Sequence, residues 1–244
     1  MNKRKRLLVL SDMHCGSKWG IRKEKGFVLW DAFGAEIEKL KPFDICLCNG
    51  DAIDGKGERS GGTEQITTDR IEQKDMAIEV LEYLNAKDYI FTYGTPYHAG
   101  TEEDWEKIIA DKFNARISGQ EFFEVNGLTF HAKHKIAGST IPHGRFTPLA
   151  RQKTWNLFWS EFGEVPMARV FIRSHVHYYA HCGDESYDAY ITPALQGWGS
   201  KYGERMCEGT ISFGFLVFDI TSNEEWTCRK FIFRGLQKAH ISKF

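Results

Sequence analysis

The chain of 244 residues has no apolar run near the about 18 to 20 residues that a membrane-crossing helix requires. Its basic opening, Met1 to Arg6, is followed only by Leu7 to Leu10 before Ser11 and Asp12, a run too short for a signal-peptide core. The six cysteines include no Cys-x-x-Cys pair, and Cys46 and Cys48 lie inside an apolar stretch where they read as small buried hydrophobes. The expectation is a soluble protein of the reducing cytoplasm. Excess charge is missing as well: a formal net charge of -1 gives no global field to draw in nucleic acid or an anionic membrane. A phosphate-bearing substrate would therefore need a local feature, such as metal ions, to hold it. Internal repeats, low-complexity runs and linker-like breaks are absent too, so residues 1-244 read as a single domain with an ordinary globular composition.

What is present first is the stretch Leu7-Leu8-Val9-Leu10-Ser11-Asp12-Met13-His14. A strand places residues i and i+2 on one face, so Asp12 and His14 can point together where the strand opens into a loop. Phe27, Trp30, Phe33, Ile37 and Leu40 then recur at helical spacing, and a helix is expected over about 25 to 40, stopped by Lys41-Pro42. Phe43 to Cys48 is a second buried strand; strand, helix, strand of this length implies a right-handed crossover and a parallel pair. It runs into Asn49-Gly50-Asp51-Ala52-Ile53-Asp54. Residues 55 to 68 are polar and Gly-rich and read as a solvated loop. A helix over 69 to 86, with Ile71, Ile78, Leu81 and Leu84 on its apolar side, leads to a third strand ending in Gly94-Thr95-Pro96-Tyr97-His98.

A short helix follows over 102 to 113 with Trp105, Ile108 and Ile109 inward. Asn126-Gly127 between two alternating apolar arms is a hairpin signal, and the second arm ends in His131-Ala132-Lys133-His134. A helix over 149 to 162 carries Trp155, Leu157, Phe158 and Trp159, of which Trp155, Phe158 and Trp159 are expected in the core, and Gly163 stops it. The strand 168 to 173 ends in Ser174-His175-Val176-His177, and further strands are expected over 187 to 192, 211 to 219 and 226 to 233.

Five strand ends thus carry Asp12/His14, Asp51/Asp54, His98, His131/His134 and His175/His177, which takes six of the nine histidines. Imidazole with carboxylate suits borderline divalent ions, and a bridging carboxylate would let two of them share a site. Two adjacent ions are a device for displacement at phosphorus.

In the order of these blocks the sequence resembles the calcineurin-like metallophosphoesterases, whose motifs are D-x-H, G-D-x-x-D, G-N-H-[DE], a single later His, and G-H-x-H. Lys133-His134-Lys135-Ile136 resembles the corresponding block of phage-type members. The resemblance implies an α/β fold of two packed sheets in a sandwich flanked by helices, a four-layer α-β-β-α arrangement. It implies two divalent ions, manganese first among manganese, iron, zinc, nickel and cobalt. Asp12, His14 and His177 would bind one, Asp51 would bridge, and His175 with the later His, His134 in preference to His131, would bind the second. Asp54 would support the loop, and His98 would be the general acid against a metal-activated hydroxide. The implied activity is hydrolysis of a phosphoester, above all a phosphodiester of a nucleotide or nucleic acid. The departure is in Gly94-Thr95-Pro96-Tyr97-His98, where the family's Asn is absent and neither Thr95 nor Tyr97 is an equivalent ligand, which puts the second ion's affinity in question. A catalytically weak metal- or phosphate-binding module on the same fold is the alternative.

The remaining residues have quieter readings. Arg145 could grip phosphate through its fork, and Trp198 with Tyr202 could wall a substrate pocket. His131 reads as a satisfied, partly buried histidine, His143 and His181 as loop residues, His240 as a tail residue, and residues 3 to 6 as a solvated tail.

Overall fold

The computed structural model describes residues 3-58, 61-100, 103-201, 211-236 and 241-243. Strand β1 (Lys5–Leu10) runs parallel to β2 (Ile45–Asn49), β2 to β3 (Asp88–Thr92), and β3 to the short β4 (Arg116–Ser118). On the other side of β1 lies β10 (Phe213–Ile220), antiparallel to it and to β11 (Trp226–Phe233). The sheet order is β11-β10-β1-β2-β3-β4. The second sheet joins β5 (Glu121–Val125), β6 (Leu128–Lys135), β7 (Val170–Ser174), β9 (Tyr187–Ile191) and β8 (Ala180–Asp184) in that order, with β6, β7 and β9 mutually parallel.

The period-two alternation of β1 serves both faces at once. Leu7 and Val9 enter the core between the sheets with Leu47, Phe130, Ile172 and Phe218. Leu8 and Leu10 turn outward to meet Phe33 and Ile37 of α1 (Val28–Leu40), Leu81 of α2 (Arg70–Leu84) and Ile109 of α4 (Trp105–Lys112). A strand buried on both sides must be apolar throughout, which is why these strands read as continuous runs. A third core forms on the outer face of the second sheet, where Leu149 of α5 (Thr147–Glu161) joins Phe171, Ala189 and Ile191. The result is helix, sheet, sheet, helix, the expected four-layer architecture.

Several local expectations fail. The helices are real, but Ile71 and Ile108 are exposed. Trp155, Leu157, Phe158 and Trp159 of α5 are exposed as well; the buried side of that helix carries Leu149 and Asn156 instead. Asn156 can be buried because its side chain donates to Pro166 O and accepts from Ala168 N–H. Residues 55 to 68 are not simply solvated: Gln65 is buried and its amide donates to Asp54 Oδ2 and Gly55 O. The basic start is not a free tail, since Lys5 and Arg6 are in β1 and Arg4 and Arg6 pair with Asp219. His181 lies in β8, not in a loop, and is bonded to Asp188. Strands β4 and β8 and the one-turn helix α3 (Pro96–Ala99) went unforeseen. Among the described residues no helix is long and apolar enough to cross a membrane.

Candidate metal centre

The parallel strands β1, β2, β3, β6 and β7 deliver their C-terminal ends to one edge, as open α/β sheets do. The chain turns there through backbone conformations that side chains ordinarily avoid. Asp12, His14, Asp51, His175 and His177 all have positive φ, between 45° and 77°. Among the described residues the other non-glycine cases are Asn85, Asn114 and Asn126. Each such residue costs about 1 kcal/mol or more, strain that clusters at functional sites. The turns are held by backbone bonds between neighbouring loops, Asp12 N–H to Gly50 O and His14 N–H to Asp51 O, both 3.0 Å. Glycine is required where these loops touch: a Cβ on Gly94 would lie 2.1 Å from Asp51 Oδ1, and one on Gly50 2.6 Å from His134 Nδ1.

Two groups of donor atoms converge. Asp12, His14 and His177 offer one set within 4.8 Å, and Asp51, His134 and His175 a second; His14, Asp51 and His98 meet in an overlapping third. Apart from His98 and His175, which are half-buried, these side chains are buried. Their outward atoms are tied to the scaffold. His14 Nδ1 lies 3.2 Å from Asp54 Oδ1 and His134 Nδ1 donates to Asn49 O at 2.7 Å, so each ring offers its Nε2 inward. Asp12 Oδ2 accepts from Ser11 Oγ and His175 N–H, and Asp51 Oδ1 from Thr95 N–H. What is left over faces the middle of the site. Asp12 Oδ1 and His134 Nε2 are buried without an aligned hydrogen bond, although His134 Nε2 is 2.9 Å from Asp51 Oδ2. The Nε2 atoms of His14 and His177 stand 3.2 Å apart, a spacing that two facing lone pairs tolerate only with a proton or cation between them.

The electrostatics demand positive charge. Burial opposes ionisation of Asp12, but His177 and His134 outweigh it and hold the carboxyl well below its usual range. Asp51 is likewise held low, against its burial, by His134 and His98. Burial would depress the His134 imidazole, yet Asp51 and Asp12 push it up to about 10. Burial also opposes protonation of His14, which Asp54, Asp51 and Asp12 raise on balance. Burial lowers His98 and, with His134 beside it, His175. An imidazole and carboxylate set with orphaned buried donor atoms fits divalent metals of the borderline class.

His131 is elsewhere: its ring stacks on Phe122, and Nδ1 and Nε2 face Arg173 and Gln120. Arg145 lies over the Tyr178 ring at 4.3 Å, one residue beyond His177. Trp198 is half-buried, with its indole N–H buried and unpartnered. Tyr202, Cys207 and His240 lie outside the described residues.

Three contributors carried no sequence signal. Glu106, buried on α4, accepts from Ala52 N–H and Gly94 N–H at 3.1 and 2.7 Å, clamping the loops on either side of Asp51; burial and Asp51 push its carboxyl up to about 7. Asn49 donates to Ser174 Oγ and accepts from Thr92 Oγ1, joining the two sheets beneath the site. Arg173, fully buried, donates to Gln152 of α5 and His131 O just before the His175 turn.

No family model matches the chain, and no curated relative matches it. Solved structures do. A novel archaeal phosphodiesterase superimposes with a TM-score of 0.50 at 14% identity, over 93% of this chain and 99% of that one. Vps29 from Chaetomium thermophilum gives 0.49 at 11% identity, over 93% and 95%. A predicted phosphoesterase from Streptococcus pneumoniae gives 0.41 at 8% identity, over 94% and 99%. The likeness to the archaeal phosphodiesterase is one of fold alone, two sheets flanked by helices; the His/Asp clusters at the strand ends of this chain are able to take divalent metal.

Proposed function

We propose that the protein is a metal-dependent phosphoesterase acting on a phosphodiester of a nucleotide or nucleic acid. The observation that supports this best is the meeting of Asp12, His14 and His177 with Asp51, His134 and His175 around one strained, buried edge. In this reading the first three hold one divalent ion, His134 and His175 hold a second, and Asp51 is shared. Manganese is the ion to try first, with iron, zinc, nickel and cobalt chemically admissible. Bound there, such ions would polarise phosphoryl oxygens and make water acidic enough to attack near neutral pH.

The chain's own residues do the positioning. Asp54 and Asn49 O fix the rings of His14 and His134 through Nδ1. His98 is held through Nδ1, 2.7 Å from Asp54 O, which leaves Nε2 to pass a proton to the leaving oxygen. Arg145 and Trp198 are assigned to substrate contact. The preference for a diester rests on the resemblance to phage-type members.

One observation favours the weak-module reading. The family's Asn is absent from the stretch Thr95 to His98, and the Thr95 backbone N–H and hydroxyl both bond Asp51 rather than adding a donor to the second cluster. The two readings separate in an assay of bis-p-nitrophenyl phosphate with metal-free protein reloaded with manganese. The enzyme reading expects turnover that Asp51→Asn abolishes and His98→Ala lowers about 100-fold or more. Metal uptake without turnover of any diester or monoester leaves the binding module.

A further inference from the structure

Helix α5 turns its aromatic side away from the protein. Trp155, Phe158, Trp159 and Phe162 are 55%, 49%, 47% and 63% exposed. Their spacing of i, i+3, i+4 and i+7 makes one stripe, and the rings touch, with Phe158 and Phe162 centroids 5.0 Å apart and Phe158 and Trp159 5.7 Å. Scattered exposed hydrophobes need no account, but four contiguous aromatics mark an interaction surface. An aromatic side chain buries about 150 to 250 Å² when covered, so half of four leaves on the order of 400 Å² per copy. That is less than the about 800 Å² per partner of a standard stable complex, so association should depend on concentration.

The charges at the two ends of α5 select the occupant. Arg151, exposed, lies one turn before Trp155 on the same face, and Glu161 and Glu164 are exposed at and just past the C-terminal end. The helix has no acidic residue in its first turn and no basic residue in its last, so its dipole is not complemented from within. A second copy laid antiparallel, with Phe158 and Trp159 at the two-fold axis, sets Trp155 against Phe162. In that register Arg151 falls two residues, about 3 Å along the axis, from the second copy's Glu164, an offset its long side chain can span, at the helix end that lacks a cation. Both charge contacts form together because a two-fold interface is self-complementary. A nucleic acid or an anionic lipid surface would instead meet the Glu161 and Glu164 end and be repelled.

We propose that the aromatic face of α5 is the contact surface for a second copy of this chain, joined as an antiparallel helix pair. Sedimentation velocity on the full chain, from low to high micromolar concentration, tests it. The expected mass rises from the 28.1 kDa of one chain towards twice that. Phe158→Glu, at an exposed position, should stay at the one-chain mass with unchanged circular dichroism and thermal midpoint. Arg151→Glu should weaken the association at least tenfold, and Glu164→Arg added in the same chain should restore it. A wild type that keeps the one-chain mass throughout overturns the proposal, whether or not it binds a single-stranded oligonucleotide or vesicles. So does a dimer that survives Phe158→Glu, and failure of the charge swap to rescue overturns the antiparallel pairing.

Discussion

Asp12 divides its two oxygens between scaffold and site: Oδ2 accepts from Ser11 and His175, while Oδ1 is buried with no aligned donor. His14 and His134 divide their nitrogens in the same way, and the outer partner sets which nitrogen faces inward. Asp54→Asn should therefore leave the fold intact yet lower manganese affinity or turnover about 10- to 100-fold, readable by titration calorimetry and diester kinetics. His131 offers a separate test away from the site. Burial, Arg173 and Lys133 push its imidazole down to about 2, far below the unfolded value. The folded form thus stays neutral while the unfolded chain gains a proton below about pH 6.5, and its contribution to stability is lost as pH falls from there, by up to about 1.4 kcal/mol per pH unit. Urea midpoints of the wild type should drop between pH 7.5 and pH 5 by more than those of His131→Asn. Equal drops in the two proteins would remove His131 from the account.

At the scale of elements, the strand ends were legible because each couples a short, largely apolar run to a change into Gly, Asp and His. Asp12, Asp51, His98 and His175 could be placed at strand ends from that change alone, whereas the preference for His134 over His131 leaned on the resemblance and the two-sheet fold came from it. Glu106, Asn49 and Arg173 were not legible, because each acts on a partner far away in sequence: Glu106 clamps Ala52 and Gly94 from a different layer. Glu106→Ala would strand two buried N–H groups, a loss of about 1 to 3 kcal/mol for each, and should lower the thermal midpoint by several degrees. Helix α5 shows the other kind of failure. Its periodicity announced two faces, but not which one is inside, since Asn156 and Gln152 face the protein through bonds to Pro166, Ala168 and Arg173 that the sequence does not display.

For the whole molecule, two sheets hold their loops in register and several strained residues in place, so the stability of the site and of the fold are linked. Under the proposed function, a divalent ion that binds only the folded chain stabilises it by about 2.7 kcal/mol at a hundred times its dissociation constant. The thermal midpoint of metal-free protein should accordingly rise by about 5 to 10 °C on adding manganese, and much less in Asp51→Asn. The most direct test of the central claim joins binding to chemistry in one titration: manganese added to metal-free protein, with bound ions and bis-p-nitrophenyl phosphate turnover followed in the same samples. The account predicts that turnover appears as the His/Asp site fills and that both are lost in Asp51→Asn. Full occupancy with no turnover, or turnover indifferent to Asp51→Asn, would contradict it.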